Sequence, residues 1–435
     1  MLAPLYTSEE MKAAEAGHDV FALMERAGLA VAEEALRRFP RARTFALHAG
    51  KGANGGDGTI AARFLEERGW RQVGDGAELV IDALLGTGIH GPPREDVAAA
   101  IARINDSGAP VLAVDIPSGV NASTGEVEGV AVRADVTVTM HGPKVGLAVG
   151  PGCFLAGDVV VADIGLEPHE TKYRFVTRDI LRLVPRKRAQ DNKYTAGSVL
   201  VVGGARGTTG AATLAARAAF RADAGYVAIA APADALQTLE TLVVEAVKRP
   251  LENALDAAQR ASVLALGPGL GREQKQLVRR LLDETDLPAV VDADALFELE
   301  PFERAAPTVL TPHSGELARL LGEESTWVDA HRLEALRRAV DRFGCVVLLK
   351  GADTLIGAPG EGVLVVGDNV PALATAGTGD VLTGIVAAFL AKGIGAQEAA
   401  AAAAVAQRLA AEDGPARGLI ASDVIDALPG CLAQS

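Results

Sequence analysis

The sequence predicts an α/β protein of two domains, each a mostly parallel sheet covered by helices. Three observations lead there. The chain has 435 residues, more than one ordinary core, and its 49% hydrophobic and 23% charged residues are the balance of a chain with a sizeable interior. Short apolar runs ending in glycine or aspartate alternate with helical stretches through both halves, which is the rhythm of strand-helix-strand units. Aromatic residues make up only 4% while glycine and alanine abound, so the layers pack closely through small side chains.

Taken in order, apolar residues at helical spacing over 8–39, opened by Ser8, Met11 and Glu15, predict one leading helix. Strands are predicted at 44–48, 79–84, 111–116 and 136–140, with a helix at 59–68. Only residues 71–77 separate that helix from the strand at Leu79, too few for a further strand and helix, so one βα unit is trimmed from the first domain. Charged, proline-containing residues 175–188 read as a solvated connector, with the boundary near 176–180 and domains of 1–176 and 180–435. Strands at 198–203, 226–230, 263–266, 289–292, 308–310, 346–349 and 354–356, and an alanine-rich helix at 397–411, complete the second domain.

The formal net charge of −14 argues against a nucleic-acid groove, which needs clustered cations. A phosphorylated ligand must then be held locally, by backbone N–H groups at helix starts. Cys153, Cys345 and Cys431 have no disulfide or zinc spacing. Residues 1–16 include Glu9, Glu10, Lys12 and Glu15 and lack a signal-peptide core, and no long uncharged apolar stretch suits a membrane. A cytoplasmic protein without nucleic-acid or membrane partners is expected.

In the second half, Gly377-Thr378-Gly379-Asp380 opens an apolar helix pattern. The glycines let the backbone approach an anion at a helix start, and Asp380 stands there as a candidate base or, alternatively, as a helix cap. Lys350-Gly351-Ala352-Asp353-Thr354 places a lysine and a glycine turn at a strand end, the ligand side of an open sheet. Other strand ends carry Pro312-His313-Ser314-Gly315-Glu316, Gly267-Pro268-Gly269-Leu270-Gly271 and Asp292-Ala293-Asp294. The loop Gly203 to Ala211 does not have the spacing of a dinucleotide fingerprint.

In this order, these segments resemble the ADP- or ATP-dependent NAD(P)H-hydrate dehydratases, a ribokinase-like branch, over residues 180–432. The resemblance implies that Lys350, Gly351, Ala352, Asp353, Thr354, Gly377, Thr378 and Gly379 bind adenine nucleotide with Mg2+. It also implies that Ala211, Gly269, His313 and Asp380 line the pocket for the hydrated cofactor, with Asp380 taking the hydroxyl proton during phosphoryl transfer.

In the first half, Gly50-Lys51-Gly52-Ala53-Asn54-Gly55-Gly56-Asp57-Gly58 lies between a strand and a helix. Five glycines there suit close approach to a phosphate, or a long turn capped by Asp57. Asp82 to Pro92 and Asp115-Ile116-Pro117-Ser118-Gly119 converge on the same sheet edge, where Asn54, Asp82 and Ser118 offer hard oxygen donors. This set resembles the Rossmann-like NAD(P)H-hydrate epimerases over residues 1–175. The resemblance implies substrate contacts at Ala53, Asn54, Gly55, Gly56, Asp57, Gly86, Thr87, Gly88, Ile89, His90, Gly91, Pro92 and Asp115. It further implies a K+ site at Asn54, Asp82 and Ser118, and proton transfer by Asp115. Ala53 replaces an asparagine of the family pattern, and Lys144 fits a family segment or is a surface lysine.

The expected fold is thus a trimmed Rossmann-like three-layer domain followed by a ribokinase-like α/β domain. The expected activity is repair of hydrated NADH and NADPH, by epimerisation and nucleotide-driven dehydration, in a homo-oligomer. Two rivals use the same motifs: a ribokinase-like kinase of a small hydroxymethyl compound, and a nucleotide-sensing binding protein.

Overall fold

The computed structural model describes residues 1–89, 91–367 and 370–434. The chain forms two compact units, one of Pro4–Arg174 with Asp329–Arg332, the other of Met1–Ala3, Phe175–Val328 and Leu333–Ser435.

The first unit is built on a six-stranded parallel sheet in the order Arg71–Gln72, Thr44–Ala49, Leu79–Ala83, Val111–Val114, Val136–Met140 and Asp158–Ala162. The three central strands among these are buried on both faces, as their continuous apolar runs require. The chain reverses direction across the sheet between Thr44–Ala49 and Leu79–Ala83. Loops from those two strands therefore splay apart and leave a crevice. The trimmed interval keeps a strand, but only the two-residue stub Arg71–Gln72, paired with Thr44 and Phe45. No helix follows it.

The leading segment departs from expectation: it is two helices, Ser8–Glu15 and Val20–Arg38. Gly17 takes φ +86°, which ends the first, and Asp19 caps the second by accepting from the Phe21 and Ala22 N–H groups. Thr7, not Ser8, caps the first, in a reciprocal box with Glu10. The glycine-rich segment also differs, since the helix starts at Ala53 and runs to Glu67 with Gly52 at its cap. Asp57 is therefore not a cap. The glycines are needed for packing: a Cβ on Gly58 would lie 2.5 Å from the Ala83 Cβ, and one on Gly55 would lie 1.9 Å from the Gly50 carbonyl oxygen.

The second unit carries an eleven-stranded sheet in the order Leu2–Leu5, Tyr173–Val176, Val363–Val366, Thr354–Gly357, Val346–Leu349, Thr308–Leu310, Ala289–Val291, Val263–Leu266, Ser198–Val202, Tyr226–Ala231 and Val247–Pro250. From Val346–Leu349 to Val247–Pro250 neighbours are parallel, while Thr354–Gly357 pairs antiparallel with both its neighbours. Direction reverses between Ser198–Val202 and Val263–Leu266, again opening a crevice. Helices Thr209–Arg221, Thr378–Ala391 and Ala396–Glu412 pack through alanine faces over one side. The expected connector is not solvated throughout, because Ile180 and Leu181 in the turn Arg178–Leu183 are buried in that core.

Candidate active sites

The carboxy-terminal site forms where Gly377 adopts φ +90° and caps the helix Thr378–Ala391. That left-handed turn suits glycine, and Asp380 lies in the first helical turn rather than at the cap. Thr378 donates its hydroxyl to the Leu373 and Thr375 carbonyls at 2.9 and 2.8 Å, and its N–H reaches Thr375 O at 3.4 Å. Among the described residues the N–H groups of Gly379 and Asp380 find no acceptor. Such free N–H groups at a helix start are an anion site.

Lys350 stands beside this turn: a Cβ on Gly379 would lie 3.4 Å from its Nζ. Its ammonium donates to Asp292 Oδ1 at 2.8 Å and lies 3.7 Å from Glu316 Oε2. Burial works against its charge, but Asp292 and Glu316 hold its pKa above the ordinary lysine value. Asp292 also accepts from Thr383 Oγ1 at 2.6 Å, so this strand-end aspartate braces the site and does not cap a helix through its side chain. Burial, reinforced by Asp292 and opposed by Lys350, lifts the Asp380 carboxyl to about 7. A carboxylate tuned there takes a proton near neutral pH.

A cleft of about 480 Å³ brings together His313, Lys350, Gly351, Ala352, Thr354, Thr378 and Gly379. Its apolar wall comes from Val366, Val370, Pro371, Leu373 and Leu382. His313 caps the helix Ser314–Leu321, its Nδ1 accepting from the Gly315 and Glu316 N–H groups at 3.0 and 3.3 Å. The neutral ring therefore carries its proton on Nε2. Asp353 is buried, and Ala211, Gly269, Gly377 and Asp380 do not line the cleft itself. Ala211 lies in the first turn of the helix Thr209–Arg221 and Gly269 on the loop across the sheet crevice, the loop before that helix being stitched to it by Thr208 Oγ1 to Gly269 O at 2.9 Å and Ala205 N to Gly269 O at 2.7 Å.

The amino-terminal site is a larger cleft of about 760 Å³. Ala53, Asn54, Asp57, Gly86, Thr87, Gly88, Ile89, Gly91, Pro92 and Asp115 line it, whereas Gly55 and Gly56 do not; His90 lies outside the described residues. Lys12, Lys51 and Arg94 line it too. Asp115 is held at φ +66°, unusual for a non-glycine residue and characteristic of strained functional positions. Its Oδ1 accepts from Lys144 Nζ, from Thr139 Oγ1 at 3.2 Å and from Met140 N at 3.0 Å. Among the described residues no bond engages Oδ2.

Lys144 is fully buried rather than on the surface; its other donors reach Thr139 Oγ1 at 3.0 Å and Met140 O at 2.8 Å. Asp57 is buried with Oδ1 unpartnered, and burial together with the charges of Asp115 and Glu15, against Lys144, pushes its carboxyl up to about 8. Glu15 is raised as well, by burial first and Asp115 second. Sequence reasoning missed Glu15 as a site residue because it reads as one more charge on a helix face.

Asp82, Ser118 and Asn54 do converge. Ser118 donates N–H and Oγ to Asp82 at 2.8 and 2.6 Å, and Asn54 Nδ2 donates to Leu85 O at 2.9 Å. Asn54 Oδ1 is then left buried with no partner. An orphaned amide oxygen amid other hard oxygens fits a weakly charged cation.

The geometry defines a class: an α/β enzyme with two separate ligand clefts, one of them an anion-binding helix start beside a lysine and a near-neutral carboxyl. Residues 199–429 match the model for NAD(P)H-hydrate dehydratase, and residues 20–75 and 70–146 match that for the YjeF-related protein N-terminus, the two stretches meeting at the trimmed interval. The chain belongs to the family of bifunctional NAD(P)H-hydrate repair enzymes. It is 36% identical to the bifunctional NAD(P)H-hydrate repair enzyme of Moorella thermoacetica, over 94% of this chain and 91% of that protein. It is 32% identical to the Escherichia coli enzyme of the same name, over 95% and 89%. Among solved structures, the ADP/ATP-dependent NAD(P)H-hydrate dehydratase of Bacillus subtilis, co-crystallised with ATP and Mg2+, aligns with a TM-score of 0.54 and 28% identity over 60% of this chain and 98% of that one.

Proposed function

We propose that the carboxy-terminal unit transfers a phosphoryl group from ADP or ATP to the hydroxyl of a hydrated dihydronicotinamide, and that loss of phosphate then restores the ring. The juxtaposition of free Gly379 and Asp380 N–H groups, Lys350 and the near-neutral Asp380 carboxyl carries this reading. Asp380 takes the hydroxyl proton as the new O–P bond forms and the bond to the nucleotide breaks. The N–H groups and Lys350 stabilise charge on the transferring group. Loss of phosphate, with a proton from the adjacent carbon, re-forms the double bond. The nucleotide lies along the Lys350–Thr354 turn, and the hydrated ring faces Ala211, Gly269 and His313. Mg2+ would accompany the nucleotide and neutralise charge on its phosphates.

In the amino-terminal unit the two carboxyls have different environments, the arrangement that separates acid from base. Asp57, neutral below about 8, protonates the departing hydroxyl. Asp115, paired with Lys144, accepts the proton of the water that adds to the opposite face. Lys12, Lys51 and Arg94 offer charge to the cofactor phosphates. Asn54, Asp82 and Ser118 would hold K+, which would supply local positive charge there. The protein works in the cytoplasm as a homo-oligomer. Asp380→Asn should slow dehydration steeply with nucleotide binding preserved; a variant that dehydrates at the wild-type rate would remove Asp380 as the base. A stable phosphorylated product in place of restored cofactor would favour the small-molecule kinase instead.

A further inference from the structure

The helix Ala396–Glu412 presents alanines to its neighbours, with Ala399 to Ala403 fully buried. Gln407 breaks that face as a buried polar side chain, and it also borders the nucleotide cleft. Its Nε2 donates to the Thr378 carbonyl oxygen at 2.6 Å. Thr378 C=O and Gly379 N–H share one peptide plane, and in a trans peptide they point to opposite sides. A donor that holds the oxygen therefore aims the N–H. The need for a clamp is local: the Thr378–Gly379 plane is bounded on one side by Gly379, which has no Cβ to restrict rotation, and it follows directly on Gly377 at φ +90°.

We infer that Gln407 is a positioning residue for phosphoryl transfer, locking the Thr378–Gly379 peptide so that the Gly379 N–H faces the transferring group. This rests on the dehydratase reading above. Packing alone does not explain the residue, since leucine would fill the same place on an alanine face without orphaning a polar group.

The test compares Gln407→Leu and Gln407→Glu with wild type, using NADH hydrate and saturating nucleotide with Mg2+. Gln407→Leu should lower kcat about ten-fold or more, because a misaimed donor loses transition-state stabilisation, while the Kd for Mg–ADP and the melting temperature stay nearly unchanged. In Gln407→Glu only the protonated carboxyl can donate to Thr378 O. The ratio of its kcat to that of wild type should therefore climb as pH falls, a ratio from which the titration of Asp380 cancels. An unchanged kcat in Gln407→Leu, a loss confined to KM, or a pH-independent ratio would overturn the inference. Absence of wild-type turnover with either nucleotide would overturn the dehydratase reading instead. The clamp would then be judged by Mg–ADP with aluminium fluoride, which wild type should hold more tightly than Mg–ADP alone and Gln407→Leu should not.

Discussion

Two carboxyls with pKa values displaced in the same direction set opposite pH limits on the two reactions. Asp380 works as a base, so it must be ionised; with its pKa near 7, dehydration by the free enzyme should rise with pH through about 7 and then level off. Asp57 works as an acid, so it must be protonated; epimerisation should fall as pH rises past about 8. Profiles of kcat/KM against pH for each reaction check both signs, and a dehydration rate falling through neutrality would contradict the role of Asp380. Asp380→Asn should cost about 10²- to 10⁴-fold in dehydration, the usual worth of a positioned base. Lys144→Met should lower unfolding free energy by about 1–3 kcal/mol, since it removes the buried ammonium that pairs with the half-buried Asp115 carboxylate, and urea denaturation measures this.

At the scale of elements, the strand ends that carry chemistry were legible because their glycines and acids interrupt plain apolar runs. Lys350, Asp115, Asp82 and Ser118 stand at such ends, and Asn54 and Asp380 on the first turns of the glycine-opened helices Ala53–Glu67 and Thr378–Ala391. What stayed hidden was tertiary. For Lys144 the sequence leaves a family-segment residue and a surface lysine both open, because nothing local shows that Asp115, Thr139 and Met140 surround it. The edge strand Val247–Pro250 was missed because its Val-Lys-Arg-Pro sequence is polar and only one side of it is paired. The helix start at Ala53 was missed because glycine usually breaks helices; here close packing on the sheet outweighs propensity. That packing makes a prediction: Gly58→Ala should destabilise by about 1–3 kcal/mol despite alanine's better helix propensity, because its Cβ meets Ala83 on a buried strand. An increase in melting temperature would contradict it.

Across the whole molecule, the parallel strands of each sheet reverse their order at one point, between Thr44–Ala49 and Leu79–Ala83 and between Ser198–Val202 and Val263–Leu266, and each of these points is flanked by loops or helix starts carrying candidate site residues. The fold class was readable from the alternation of elements, and the trimmed interval from counting residues. Whether that trimmed sheet is still a working enzyme is a question of its cleft, and the cleft retains Asp57, Asp115 with the buried Lys144 behind it, and Asn54 with its orphaned oxygen. Both units should therefore act on one damaged pool. The direct test adds the purified protein, with Mg2+, K+ and ADP or ATP, to a mixed-epimer preparation of NADH hydrate and follows the near-ultraviolet absorbance of the restored cofactor. Recovery of the whole pool, with a second phase faster than spontaneous epimerisation and abolished by Asp57→Asn, is the predicted result. Recovery that stops at one epimer's share would contradict it.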